Sequence, residues 1–192
     1  NVVFSWKNLF IKMGEIISRI VSLLSGIGVI IGAMSLTGVG TSLSRELVFA
    51  AGGDIYMILI FGALASLVLG VGMTVSACYI FLAIVLAPAI IEAGVTPIAA
   101  HLYVLYWGVL SFITPPVAIA AITASTISKS SALETGVLSM RLGSILFFLP
   151  ILFVFDPAML MNGSAFDITI SFVTAIFAII LISASFESYL YF

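Results

Sequence analysis

The chain is a succession of long apolar stretches separated by short polar segments. A helix that spans a bilayer needs about 20 mostly apolar residues. The stretches at residues 16–36 and 168–186 approach this length, and a shorter one at 142–155 contains Pro150. The segment 41–53 carries hydroxyl, charged and glycine residues, so we expect it at the membrane interface. The pattern predicts an all-α integral membrane protein built as a multi-span helical bundle.

Residues 55–91 contain two short apolar arms around a polar, glycine-containing run from Gly70 to Ser76. Each arm has about 15 residues, or about 22 Å of helix, which is less than the ~30 Å hydrocarbon core. Short arms around a polar tip predict a re-entrant helical hairpin rather than two spans. Close helix packing is the simpler explanation of the glycines.

The apolar stretch at 98–128 is too long for one simple span, and Thr114-Pro115-Pro116 interrupts it near the middle. Two consecutive prolines remove two backbone donors and obstruct the preceding helical turn. This pattern predicts one discontinuous helix, made of two half-helices with an unwound joint. A purely structural kink is the alternative.

Composition identifies the solvent of this protein as lipid. The chain is 63% hydrophobic, only 7% charged, and has a mean hydropathy of +1.38, whereas a soluble domain is about 25% charged. One cysteine, Cys78, excludes an internal disulfide and a multi-cysteine metal site. One histidine excludes a zinc-type histidine pair, and the absence of a basic stripe argues against nucleic acid as a partner. We find no convincing enzyme constellation.

The basic residues predict an orientation. If the N-terminus of this segment is cytoplasmic, the C-terminus is cytoplasmic too, and the hairpin enters from the outer side. Five of the six basic residues then lie on the cytoplasmic side, in agreement with the positive-inside rule. These five are Lys7, Lys12, Arg19, Lys129 and Arg141, and the sixth, Arg45, lies outside.

The two interrupted elements are the candidates for chemistry. Non-helical backbone at membrane depth persists only where it is buried in protein or lines a wet cavity. Its freed carbonyls are hard oxygen ligands that suit Na⁺, and half-helix N-termini suit an anionic group. The hydroxyl side chains that we expect to contribute are Thr74, Ser76, Ser111 and Thr114. Both breaks together predict one shared binding site.

His101 lies early in the discontinuous helix. A proton relay is one hypothesis for an ionisable side chain at this depth. A histidine that forms an interhelical hydrogen bond is the interpretation we favour.

Several runs of residues resemble a known family. They are Gly70 to Tyr79, Ala87-Pro88-Ala89, Gly94 to Pro97, Ala99 to Leu102, Ile113 to Ala118 and Leu149 to Leu160. In these runs the chain resembles the large membrane subunit of TRAP (tripartite ATP-independent periplasmic) transporters. It is most similar to the fused-permease type that works with TAXI-type binding proteins. The resemblance covers nearly the whole chain, but only the C-terminal half of that subunit.

This resemblance implies half of an inverted-repeat, elevator-type transporter in the cytoplasmic (inner) membrane of a bacterium or archaeon. The implied activity is Na⁺-coupled import of organic acids (carboxylates) that a periplasmic substrate-binding protein delivers, with no organic cofactor. The N-terminal half of the permease is then a further partner.

The resemblance also implies site residues. The outer hairpin tip comprises Gly70, Gly72, Met73, Thr74 and Ser76, and the unwound joint opposite it comprises Gly108, Ser111, Ile113, Thr114 and Pro115. Na⁺ would bind between them, mostly through backbone carbonyls, at Gly70, Gly72, Met73, Gly108, Ile113 and Thr114. Substrate contacts would come from Thr74, Ser76, Ser111 and Thr114.

Two positions depart from the family pattern. Thr74 stands where a proline or acidic residue is common, and Val75 replaces a hydroxyl residue. Two other functions remain open on the sequence: an ion channel or pore subunit, and a non-transporting membrane assembly subunit.

Overall fold

The computed structural model describes residues 6–70, 73–115 and 118–187. Gly72, Pro116 and Val117, which belong to the predicted tip and joint, lie outside the described residues. Every regular element in the described ranges is helical, so the all-α prediction is confirmed. The chain divides into two units, residues 1–40 and 41–192, which are taken in turn.

The first unit consists mainly of one long helix, α1, at Trp6–Thr37. Its 32 residues correspond to about 48 Å of helix, enough to cross a bilayer. The helix begins ten residues before the span predicted at 16–36, because lysine and glutamate are good helix formers and do not stop the helix. It ends at Gly38, whose φ of +68° is a conformation in which glycine is favoured.

The second unit contains the other helices. They are α2 (Val39–Ala50, which begins just before the boundary), α3 (Ile55–Gly70), α4 (Val75–Val85), α5 (Ala87–Glu92), α6 (Pro97–Leu110), α7 (Ile119–Ser128), α8 (Ala132–Leu142), α9 (Ile145–Phe155) and α10 (Ala165–Glu187). A short 3₁₀ helix at Pro157–Leu160 connects α9 to α10.

The second hairpin arm, predicted as one segment to residue 91, is two helices. Helix α4 ends at Val85 and α5 begins at Ala87. Pro88 lies in the first turn of α5, where its missing N–H costs no hydrogen bond, whereas further inside a helix its ring would clash with the preceding turn.

The polar residues from Lys129 to Arg141 predict a polar loop that carries an amphipathic turn. The loop prediction is wrong over most of its length, because α8 occupies Ala132–Leu142. Glu134 lies in its first turn and Arg141 in its last, so both charges complement the helix dipole. Residues 132–155 are together long and apolar enough to cross a membrane. The span predicted at 142–155 therefore begins about ten residues earlier, with Glu134 near its start and Arg141 inside its first half.

Three segments of the described chain have the length and composition of membrane spans: α1, the α8–α9 segment, and α10, which extends the stretch predicted at 168–186. Helices α3, α4, α6 and α7 are apolar but shorter. Large apolar side chains such as Val68 and Phe177 face outward with 71% and 63% of their surface exposed. A surface of this kind is stable in lipid and not in water, so the chain is a multi-pass membrane protein.

The core of the second unit lies among α3, α4, α5 and α6. Ile58, Leu82, Ile90 and Val104 are almost completely buried there. Tyr103 is buried with them, and its hydroxyl donates a hydrogen bond to the carbonyl of Leu59 in α3. This core holds the two hairpin arms against the first half of the discontinuous helix.

Helix α9 packs along α6, and its Val154 packs against this core. Two aromatic pairs contribute to the contact: Tyr106 with Phe153, at 5.4 Å between ring centroids, and Trp107 with Phe147, at 5.8 Å. Helix α6 is therefore packed both against the hairpin and against a long apolar span.

Candidate functional site

The end of the first hairpin arm lies directly on the joint of the discontinuous helix. Gly70, the last residue of α3, is buried against Ser111. A Cβ atom at Gly70 would lie 2.5 Å from Ser111 Oγ, 2.6 Å from Ser111 Cβ and 3.3 Å from the carbonyl oxygen of Gly108. Only glycine permits this approach, so two breaks that are 41 positions apart in the sequence meet in space.

The second hairpin arm approaches the same segment. A Cβ atom at Gly108 would lie 3.3 Å from Cys78 Sγ and 3.6 Å from Leu82 Cδ1, both in α4. Cys78 is itself fully buried. Gly108 is thus one of the residues against which Cys78 packs.

Helix α6 ends at Leu110, and α7 begins at Ile119. Between them, the Ser111 hydroxyl donates to the Gly108 carbonyl at 2.8 Å and the Thr114 hydroxyl donates to the Leu110 carbonyl at 2.7 Å. Each hydroxyl oxygen keeps its lone pairs when it donates its proton. Ser111 and Thr114 therefore stabilise the helix end and can still act as oxygen ligands.

Several carbonyl groups of the joint lack their usual helical partners. The N–H of Phe112 donates to Val109 instead of Gly108, and Pro115 has no N–H to donate to the Ser111 carbonyl. The carbonyl of Thr114 does accept a backbone N–H, from Ala118 at 3.1 Å. Such oxygens are the kind that coordinate alkali cations at the breaks of discontinuous transmembrane helices.

The joint ends on a strained residue. Ala118 has φ +30° and ψ 53°, is 2% exposed, and precedes α7. A left-handed conformation costs an alanine about 1–2 kcal/mol. Strain of this kind persists only where the surrounding packing imposes it, and it is frequent at functional sites.

The hairpin tip is partly described. Met73 is half-buried and packs against the core, while Thr74 and Ser76 are exposed. Thr74 is the N-cap of α4, because its hydroxyl oxygen accepts the N–H of Ala77 at 3.3 Å. Thr74 thus serves the start of the second arm, a role that its position in the family pattern did not indicate.

Two joint residues contact α8 and the turn that follows it instead of the hairpin. A Cβ atom at Gly136 would lie 2.8 Å from Pro115 Cγ, and one at Gly143 would lie 2.8 Å from Ile113 Cδ1. Sequence analysis missed both glycines because it assigned the surrounding segment to a loop. Their seven-residue spacing, which places both on one face of a helix, was the signal available.

The cavity beside the joint is apolar. It has a volume of about 230 Å³ and is lined by Leu105, Tyr106, Val109, Leu110, Phe112, Ile113 and Leu146. It contains no side-chain cation that would bind a carboxylate.

His101 forms the interhelical hydrogen bond that the sequence favoured. Its Nδ1 lies 3.1 Å from the hydroxyl of Tyr79 in α4, and the two rings are in tilted contact at 6.1 Å. The pair joins α4 to α6, and His101 lies seven residues before Gly108, the α6 residue that Cys78 contacts.

Comparison with known protein families decides the identity of the chain. Residues 4–161 match the family model described as "Tripartite ATP-independent periplasmic transporter, DctM component". The chain belongs to this family. The match covers the hairpin, the joint and α8 of this DctM component, and confirms the resemblance found in the sequence. It makes the protein a TRAP permease component, from a family of membrane transporters rather than of enzymes.

No curated protein and no solved structure gives a significant match to this DctM component. The geometry of its hairpin and joint therefore rests on the structure described above.

Proposed function

We propose that this chain supplies one half of the transport site of a Na⁺-coupled permease that imports organic acids. The observation that carries the proposal is the contact of Gly70 with Ser111 and Gly108. In secondary transporters, substrate and coupling ions bind where discontinuous helices meet near the bilayer midplane. Here a hairpin end and a helix break meet in that manner within a family of transporters.

The proposed Na⁺ ligands are oxygen atoms of the joint and the hairpin tip. The carbonyls of Gly108 and Ile113 and the hydroxyls of Ser111 and Thr114 are the described candidates. Hard oxygen donors of this type suit alkali cations. Among the described residues no three His, Cys, Asp or Glu side chains come together, so the donor set favours Na⁺ over a transition metal.

The proposed contacts for a carboxylate are at the start of α4. The first N–H groups of a helix carry partial positive charge and bind anions. Thr74 and Ser76 lie in this first turn with exposed side chains. Because the cavity beside the joint is apolar, we propose that the remaining substrate contacts come from the other half of the permease, and that a periplasmic binding protein delivers the substrate.

The test uses the complete permease in proteoliposomes together with its binding protein. Uptake of a panel of labelled mono- and dicarboxylates is measured with an inward gradient of Na⁺ or of K⁺ at equal ionic strength. We expect concentrative uptake of at least one acid with Na⁺ and none with K⁺. Uptake that is equal in the two salts would refute Na⁺ coupling.

The same experiment distinguishes the other functions considered from the sequence. A channel or pore would give only downhill flux that needs no binding protein. A non-transporting assembly subunit would give no flux with any acid of the panel. Either result would contradict the proposed function.

A further inference from the structure

We infer that Gly136 and Gly143 are positioning residues of the transport site, which hold the joint in its unwound geometry through direct contact with Pro115 and Ile113. This inference rests on the proposed function of the joint as an ion site. Neither glycine is part of the hairpin or of the joint itself.

The first contact acts on the backbone of the joint. A Cβ atom at Gly136 would lie 2.8 Å from Cγ and 3.5 Å from Cδ of Pro115. The proline ring is fused to its own backbone, so it cannot rotate away as a flexible side chain can. A group added at position 136 must therefore displace either α8 or the Thr114–Pro115 peptide, and a shift of the peptide moves the hydroxyl and carbonyl of Thr114 with it.

The same glycine faces the strained end of the joint. Ala118 Cβ lies 3.6 Å from the position of a Cβ at Gly136. Ala118 holds its left-handed conformation while 2% exposed, and such strain persists only if neighbouring atoms enforce it. Helix α8, which packs closely along α7, supplies these neighbours.

The second contact lies seven residues further along the chain. A Cβ atom at Gly143 would lie 2.8 Å from Ile113 Cδ1 and 3.0 Å from the Ser139 carbonyl oxygen. Ile113 supplies one of the carbonyl oxygens that we propose as Na⁺ ligands. The two glycines thus allow the segment at α8 to approach the joint at two points, on either side of Thr114.

The experiment measures Na⁺ binding alone, without an organic acid, in the complete purified permease. The unfolding temperature is recorded as NaCl replaces choline chloride, which gives the Na⁺ concentration for half-maximal stabilisation. For Gly136→Ala we expect this concentration to rise about tenfold or more, as for residues that orient the ligands of an ion. Gly143→Ala should also raise the half-maximal Na⁺ concentration, but by a smaller factor, because Ile113 Cδ1 is the end of a flexible side chain.

Gly62→Ala is the matched control. Its Cβ would meet Leu86 Cδ1 at 2.7 Å, a clash with a flexible side-chain end like that at Gly143, in the same unit but between α3 and the second arm. We expect Gly62→Ala to lower the unfolding temperature without changing the half-maximal Na⁺ concentration. If Gly136→Ala and Gly143→Ala behave as Gly62→Ala does, the glycines only pack and the inference is overturned.

A double variant separates positioning from general destabilisation. Pro115→Ala removes the ring atoms that Gly136→Ala would strike. We expect the Pro115→Ala, Gly136→Ala double variant to bind Na⁺ no more weakly than Pro115→Ala alone, a non-additive result that reports direct coupling. If the two substitutions weaken Na⁺ binding additively, the inference is overturned. The comparison of the double variant with Pro115→Ala remains decisive even if Gly136→Ala alone does not fold. Absence of any Na⁺ effect in the wild type would instead refute the proposed function.

Discussion

At the scale of single residues, glycine is used in this chain where two backbones must touch. Gly70 and Gly108 lie at the meeting point of the hairpin and the joint; a Cβ would clash with Ser111 at Gly70 and would be tightly packed against Cys78 at Gly108. In contrast, Gly38 and Gly94 have φ values of +68° and +96°, so the backbone conformation favours glycine there. The same residue type thus has different roles, and composition alone does not separate them.

Gly70→Ala tests the closest of these contacts. The added Cβ would lie 2.5 Å from Ser111 Oγ, so α3 or the joint must shift. We expect the variant to lose most of its Na⁺-dependent uptake in proteoliposomes. A shift of the proposed ligand atoms by a fraction of an ångström should lower the activity of a transport site strongly, as it does at a catalytic site. Gly26→Ala is the control and should transport normally. Normal uptake by Gly70→Ala would contradict the assignment of this contact to the site.

Tyr103→Phe tests the polar contact of the core. The variant keeps the ring and removes the hydroxyl that donates to the Leu59 carbonyl. We expect a loss of about 1 kcal/mol in the free energy of unfolding, the usual scale of a buried or interhelical hydrogen bond, measured by titration with a denaturing detergent. Tyr56→Phe is the matched control, since Tyr56 is 61% exposed, and it should unfold as the wild type does.

At the scale of elements, interruptions decide which helices can meet. Helix α6 ends at Leu110 and α7 begins at Ile119, and the sequence indicated this break through Pro115 and Pro116. The break before α5 was missed, although Pro88 marks it, because the apolar character of the arm continues through it. Helix α8 was missed for the opposite reason: its polar residues suggested a loop, whereas they lie in the first half of a span.

The accessibility of Cys78 reports on the packing of α4 against α6, because Cys78 is the only cysteine of the chain and is fully buried against Gly108. We expect Gly108→Ala to force the two helices apart. The alkylation rate of Cys78 in the native protein, measured by mass spectrometry of the peptide that contains Cys78, should then rise several-fold. Gly163→Ala meets only ordinary contacts, the nearest at 3.6 Å, and should leave the rate unchanged. Equal rates in both variants would show that Gly108 does not set the helix separation.

At the scale of the whole molecule, the apolar exterior requires a bilayer, and the distribution of charge predicts its orientation. The chain carries six basic residues, and the positive-inside rule places five of them in the cytoplasm. The α8 assignment keeps Lys129 just outside the apolar segment 132–155, whereas Arg141 is the tenth of its 24 residues, so at this end of the chain the prediction rests on Lys129. Arg141 also forms an ion pair with Glu187 of α10 at 3.3 Å, which brings the end of α10 to the same side.

Two single cysteine variants test this orientation in a Cys78→Ala background. Ser131 and Asn162 are both exposed, and neither side chain forms a hydrogen bond within the described part of the chain. We expect Asn162→Cys to react with a membrane-impermeant maleimide in intact cells, and Ser131→Cys to react only after the membrane is permeabilised. The reverse pattern would invert the predicted orientation.

The sequence by itself determined the solvent, the helical class, the two places where helices break and the family to which the chain belongs. These properties are local, since each depends on a short run of residues: apolar length, a double proline, a glycine-containing tip. Only the tertiary structure decided that Gly70 lies on Ser111, that Thr74 caps a helix, and that Gly136 and Gly143 contact the joint. These contacts join positions far apart in the chain, and close packing between them depends on the shapes of both partners, which no single segment contains.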